Sequence, residues 1–280
     1  MNRTLKNNIL LFLSYVLLIC IAIACLYPTL WVIFSSFRPG SSLFSDDFIP
    51  KVWTIDHYKT LFTSTTFIYP VWYLNTLKVA LLSMFFSTLL STLSTYALSR
   101  FRFKGRKNIL TTMLVLGMFP GFMSLIPVYI ILMQFELLNT HAALVLVYSA
   151  GAVLTNGFVI KGFFDTIPRS LDESARIDGA THLQVFTNIM LPLSKPVLIY
   201  VGLTTFTGAW VDFIFARLVL TSRDKWTVAV GMFDLATSAQ NANFTLFAAG
   251  AVLIAVPITL LFVALQKFLV QGLTAGASKG

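Results

Sequence analysis

Six apolar runs, at residues 9–34, 71–98, 109–132, 142–164, 197–220 and 244–269, dominate this 280-residue chain. A helix needs about 20 apolar residues to cross the hydrocarbon core of a bilayer, and each run reaches that length. Hydrocarbon offers no partner to a backbone amide or carbonyl. A spanning segment must therefore satisfy its own hydrogen bonds as a helix or share them in a closed barrel. Each run is predominantly apolar and long enough for the helical solution. The expected fold is an all-α membrane protein of six transmembrane helices. Charged residues make up only 11% of the chain, against about 25% in soluble domains, so the water-soluble classes are set aside.

The first run follows Arg3 and Lys6, as the core of a signal peptide would. It is far longer than the roughly 7–15 apolar residues of such a core, so it reads as a retained helix. Ala22-Ile23-Ala24-Cys25 resembles a lipoprotein cleavage site only faintly. Cys20 and Cys25 share one apolar run without histidine partners, which makes neither a disulfide framework nor a metal site.

Six spans put both termini on one side. With the termini inside, the inner segments hold thirteen Lys and Arg and the outer segments six, Lys78 lying within the second run. The excess places the termini in the cytoplasm. Arg100, Arg102, Lys104, Arg106 and Lys107 then read as a topology anchor between spans rather than a nucleic-acid patch.

Within the runs, Ser83, Ser87, Ser91 and Ser94, with Thr88, Thr92 and Thr95, form stripes at helical spacing. Such stripes permit close helix packing; lining a polar pathway is the sharper alternative. Pro120-Gly121 and Pro127 predict a kinked third span. Thr155-Asn156-Gly157 interrupt the fourth, and Asp212 is the only acid in the fifth. Residues 38–69 form a turn-rich loop with room for a short helix or two. His141 reads as a solvated loop residue. Asn156, Trp210, Asp212 and Phe213 are candidate pathway residues.

Chemistry is sparse. No Gly-Lys pair occurs, so a phosphate-cradling P-loop is absent, and no HExxH or Cys/His cluster is present. No residue is assigned as catalytic, cofactor-binding or metal-ligating. The central portions of the spans carry no ionisable side chain, whereas proton- and ion-coupled carriers place such groups at depth. A pathway driven from elsewhere needs a cytoplasmic element through which energy enters.

The stretch from Ser170 to Pro196, between the fourth and fifth runs, has that character. Ser170 with Glu173 three residues on matches a capping box, and Pro168 discourages helix upstream. Ser174, Ala175, Gly179 and Ala180 are small, so another surface can approach the backbone. The expected element is a short docking helix starting near Leu171, with Pro192 and Pro196 on its far side.

Glu173-Ser174-Ala175, three residues, Gly179, nine residues, then Ile189-x-Leu191-Pro192 resembles the EAA loop of ABC importer permeases, with Ser174 where the pattern has alanine. Residues 167–173, Trp226–Met232 and 266–280 also resemble carbohydrate-uptake permeases, in particular the smaller permease subunit of maltose and maltodextrin importers. The resemblance implies a single type-1 transmembrane domain over residues 1–280, with Ser170, Glu173, Ser174, Ala175, Asp178, Gly179, Ala180, Ile189, Leu191 and Pro192 in a cytoplasmic coupling helix and its return to the membrane. It further implies a second, related permease, two ATPase subunits that use ATP and magnesium, and an extracellular sugar-binding protein. In such relatives the C-terminal tail reaches toward the ATPases. No nucleic acid is implied. An importer of another solute and a non-transporting membrane scaffold are the competing readings.

Overall fold

A computed structural model describes residues 3–42, 47–237 and 243–277, with side chains over 7–42, 47–237 and 243–269. Among the described residues there is helix and no strand. In chain order the helices are α1 (Arg3–Ser36), α2 (Asp56–Thr63), α3 (Tyr69–Arg100), α4 (Arg106–Met118), α5 (Leu125–Gln134), α6 (His141–Thr166) and α7 (Arg169–Ile177). There follow α8 (His182–Val185), α9 (Leu191–Leu193), α10 (Lys195–Val211), α11 (Ile214–Val219), α12 (Val228–Thr237) and α13 (Phe244–Ala277). The C-terminal stretch that the resemblance directs toward ATPases lies, from residue 270 on, outside the residues with described side chains.

By length and composition, α1, α3, α6 and α13 are continuous spans. The other two expected spans are bent pairs: α4 with the segment 121–134 turns by 102°, and the segment 182–193 turns by 76° into α10. The third span is thus a sharp corner. Pro120 holds Phe119 extended (φ −74°, ψ 134°) and ends α4. Pro127 adds no kink, because it sits in the first turn of α5, where a missing amide costs no hydrogen bond. The fifth span stops at Val211 instead of running to Leu220. Asp212 is extended (ψ 115°), and its carboxylate accepts from Phe215 N at 3.3 Å and Ala216 N at 3.0 Å, opening α11. The fourth span is not interrupted. Thr155 Oγ1 donates back to Gly151 O within α6, and a Cβ on Gly157 would lie 2.8 Å from Met113 Cε, so Gly157 marks a close approach of α4.

The chain forms two compact units. One comprises Met1–Ile68 and Asp234–Ala255. Its loop contains the expected short helix, α2, tied down by His57, whose Nε2 lies 2.7 Å from Arg38 O, and by Tyr58, whose hydroxyl is 2.7 Å from Ser36 Oγ. Asn243 Oδ1 accepts from Leu246 N at 2.9 Å and caps the start of α13. Residues 7–30 of α1 are exposed throughout, Cys20 and Cys25 included.

The second unit comprises Tyr69–Phe233 and Val256–Gly280. Its centre is α3, packed against α6 and α10. Ser83, Ser87, Ser91, Thr92 and Thr95 are all buried on α3. Thr88 and Ser94 of the same stripe are partly covered, so most of its hydroxyls lie where helices pack closely. At the Tyr69 end of α3, Trp72 Nε1 donates to Arg223 O (2.8 Å), and Asn75 Nδ2 donates to Asp224 O (2.8 Å) and Trp226 O (3.0 Å). His141 belongs to the same cluster: its Nε2 is 2.8 Å from Lys225 O and the side chain is half-buried, so it is not solvated.

Gly231 lies flat against this cluster. A Cβ there would come within 2.0–2.4 Å of the fully buried Trp72 ring. Gly231→Ala is expected to destabilise the detergent-purified protein by about 1–3 kcal/mol, the usual cost of overpacking, read as a fall in thermal midpoint. An unchanged midpoint would show that Trp72 can move.

Candidate functional site

The site is built where α3 ends and α7 begins. Pro168 decides both boundaries nearby. It holds Ile167 extended (φ −80°, ψ 121°), which closes α6, and it stands as N-cap of α7 with its own φ fixed at −58°. The helix accordingly starts at Arg169, ahead of the expected start near Leu171. The expected capping box does not form: Ser170 already lies inside the first turn, and no side chain caps α7. The capping box lies one helix later. Thr181 Oγ1 accepts from Gln184 N at 3.2 Å, and Thr181 N donates to Gln184 Oε1 at 2.7 Å. Thr181-x-x-Gln184 is the same sequence signature as the pair chosen upstream.

Asp172, in the first turn of α7, meets Arg100, the last residue of α3. Arg100 Nε lies 2.7 Å from Asp172 Oδ2, and the two side chains are only 6% and 17% exposed. The approach is off the N–H axis and makes no aligned hydrogen bond, so the pair is held by charge. Arg100 Nη2 donates to Ile167 O (3.0 Å), and Arg169 Nη2 donates to Ser99 O (2.9 Å). Ser99 Oγ in turn donates to Asp165 Oδ1 (2.7 Å). Three helix ends, of α3, α6 and α7, are thus joined by two arginines.

The far end of α7 closes in a Schellman motif. Gly179 N donates to Arg176 O (3.1 Å) and Ala180 N to Ala175 O (2.9 Å), with Gly179 at φ +86°. A Cβ at Gly179 would meet nothing within 4 Å, so within the chain this glycine is required by its backbone angle. Glu173, Ser174, Ile177, Asp178 and Gly179 are exposed, while Ala175 and Ala180 are partly covered. Ile177 is 86% exposed at the end of a mainly polar helix, whose other large apolar residue, Leu171 in the first turn, is 43% exposed.

The return to the membrane passes through one wide, π-type turn, Phe186–Met190, in which Leu191 N donates to Phe186 O. Pro192 has no amide to give Asn188 O, and its ring crowds that carbonyl; widening the turn relieves both. Ile189 and Leu191 are half-buried, and Pro192 is exposed. Beneath the turn lies an apolar cluster of Tyr96, Ile160, Phe164, Ile167, Phe186, Met190, Val197 and Val201, which seats the whole loop on α3, α6 and α10.

The pathway candidates do not gather here. Asn156 is buried in α6, and Trp210 is buried in the core against Tyr73 and Phe206. Asp212 and Phe213 occupy the break after α10, where Asp212 also accepts from Tyr148 OH. Sequence reasoning missed Arg100 and Arg169 as the anchors of the loop. The available signal was an acid in the first turn of a polar helix and an arginine ending a span.

Residues 79–275 match the family of binding-protein-dependent transport system inner membrane components. The chain belongs to that family. It is a multi-pass component of the plasma membrane, and the whole stretch from Pro168 to Pro192 falls within the matched segment. It is 44% identical over 276 residues to the galactooligosaccharides transport system permease protein GanQ of Bacillus subtilis, covering 98% of each chain. It is 40% identical over 281 residues to the maltodextrin transport system permease protein MdxG of the same organism, covering 100% of each. With the maltose/maltodextrin transport system permease protein MalG of Escherichia coli, identity is 37% over 287 residues and 96% of each chain. Among solved structures it resembles a chain of a bacterial ABC transporter involved in the import of the acidic polysaccharide alginate. There the TM-score is 0.81 at 22% identity, over 95% of this chain and 98% of that one, a likeness of fold.

Removing one member of a buried ion pair strands the other charge. Asp172→Ala is expected to cost about 3 kcal/mol, and Asp172→Asn somewhat less. Thermal unfolding of the purified protein reads the loss. If the double variant lost the full sum of the Asp172→Ala and Arg100→Ala losses, the two residues would not be coupled.

Proposed function

We propose that this chain is a permease subunit of an ATP-driven oligosaccharide importer, and that α7 is the helix through which ATPase subunits drive it. The observation that carries this reading is α7 itself: a mainly polar helix that ends in an 86% exposed Ile177 and is fastened at its other end to α3 by Arg100 and Arg169. A free-standing helix with one apolar tip and small neighbours, Ser174, Ala175, Gly179 and Ala180, is shaped for insertion into a cleft of another protein. The inside excess of Lys and Arg supports placing it, with both termini, in the cytoplasm.

In this reading the whole length acts as one type-1 transport domain beside a second, related permease. Two ATPase subunits use ATP and magnesium, none of it bound here, and an extracellular binding protein delivers the sugar. Glu173, Ser170 and Asp178 supply polar contacts to the ATPase, and Ile189, Leu191 and Pro192 carry the movement into α10. The C-terminal tail extends toward the ATPases. Closure of the ATPase dimer would move two such helices together as rigid bodies and switch access from one side of the membrane to the other. Maltodextrin is the first substrate to test, from the tail resemblance and relatives such as MdxG; galactooligosaccharide is the second, from the 44% identity to GanQ.

Ile177→Glu is the test, because Ile177 touches little within the chain. The variant should insert normally yet lose at least about tenfold of ATP-driven uptake in proteoliposomes holding the complete transporter, the cost of one mispaired interface charge. Full uptake would sink the docking role. ATP hydrolysis by the isolated chain, or no ATP-dependent uptake of any oligosaccharide by the assembled complex, would overturn the reading as a whole.

A further inference from the structure

The two broken helices meet. The corner between α4 and α5 and the break between α10 and α11 border one cavity of about 480 Å³, lined by Gly121, Phe122, Leu125, Asp212, Phe213 and Phe215 among others. Its volume is within the range of small-ligand sites. Residues 117–124, which form the corner, are exposed throughout, Phe122 at 69%. Irregular backbone at membrane depth is stable only against protein or facing water, never against lipid. The seventeen residues of α10 rise about 25 Å, so the break lies far from the bend at Ser194 and, in the orientation proposed above, toward the outer side. Unwound helix segments of this kind form substrate sites in other transport proteins.

The chemistry at the break is specific. Phe213 stacks on Phe233 with ring centroids 4.1 Å apart, which fixes its plane. Asp212 Oδ2 is occupied by Tyr148 OH and Ala216 N, whereas among the described residues Oδ1 accepts only a long contact from Phe215 N. A carboxylate has about four acceptor positions, so capacity remains on Oδ1. Oriented aromatic faces suit the C–H faces of a sugar ring, an acceptor suits its hydroxyls, and a fixed negative charge repels an anion. We propose that this cavity is a sugar subsite on this chain, taking one ring of a neutral oligosaccharide between Phe122 and Phe213, with Asp212 accepting from a hydroxyl and disfavouring uronic and aldonic acids. The proposal rests on the reading of the chain as an oligosaccharide permease.

The experiment uses the complete transporter with Cys20→Ser and Cys25→Ser in this chain, so that Phe122→Cys supplies its single thiol. Maltotriose or a galactotriose should slow maleimide labelling of that thiol, and the matching aldonic acids should not. Phe213→Ala and Phe122→Ala should each lower uptake by about tenfold, roughly one ring contact, while binding-protein-stimulated ATP hydrolysis continues. Asp212→Asn, which keeps an acceptor for Tyr148, should let the aldonic acid protect the thiol as well. Uptake by the parent complex with wild-type rates in both alanine variants and no protection of the thiol would overturn the subsite and leave the permease reading standing. Absence of uptake by the parent complex itself would instead bring down the permease reading.

Discussion

The position of α7 depends on the charge pair Arg100–Asp172. Each member sits at the favourable end of its own helix: Arg100 at the negative C-terminal end of α3, Asp172 at the positive N-terminal end of α7. Bringing the two ends together satisfies both dipoles and both charges at once. The arrangement is one-sided, because a nearly buried guanidinium is tolerable only with a counter-charge beside it. Arg169 adds a bond from the first residue of α7 to Ser99 O, so the helix is held at its first turn by two contacts to the same neighbour. Its last turn has no comparable tether.

Prolines set where the rods of this structure stop. Pro120 ends α4 through Phe119, Pro168 separates α6 from α7 through Ile167, and Pro192 forces the wide turn that precedes α10. Pro120 and Pro168 act through a ring that denies helix to the residue before it, whereas Pro192, whose predecessor Leu191 stays helical, acts through its missing amide and the crowding of Asn188 O. Between those points the helices are long and closely packed, as the buried hydroxyls of α3 and the contact of Gly157 with Met113 show. Segments that are stiff between defined corners can move as bodies, which a uniformly curved bundle would do less readily.

The spans were legible because length and apolarity report directly on the bilayer, and the existence of a short helix near residues 169–177 was legible because charge flanked by such runs is conspicuous. What escaped were features decided by partners distant in sequence. Ser170 and Glu173 have the spacing of a capping box, yet Pro168 had already begun the helix; Thr181 and Gln184 have the same spacing and realise it. Asp212 reads as a residue within a span because its neighbours are apolar, and only the acceptance of Phe215 N, Ala216 N and Tyr148 OH turns it into a helix end. Arg100 could be counted for topology, but its partner lies 72 residues away in the sequence. Gly179 reads from the sequence only as a small residue that permits close approach; its positive φ adds a reason internal to the chain, the closure of α7.

The Schellman closure at Gly179 has a mechanical meaning. Because α7 is fastened at Arg169 and Asp172 and terminated cleanly at its other end, Ile177 stands at the tip of a cantilever. It lies five positions beyond Asp172, about 7.5 Å at helical rise. A load applied at that tip is delivered as a torque on the terminal turn of α3, the helix around which α6 and α10 are packed.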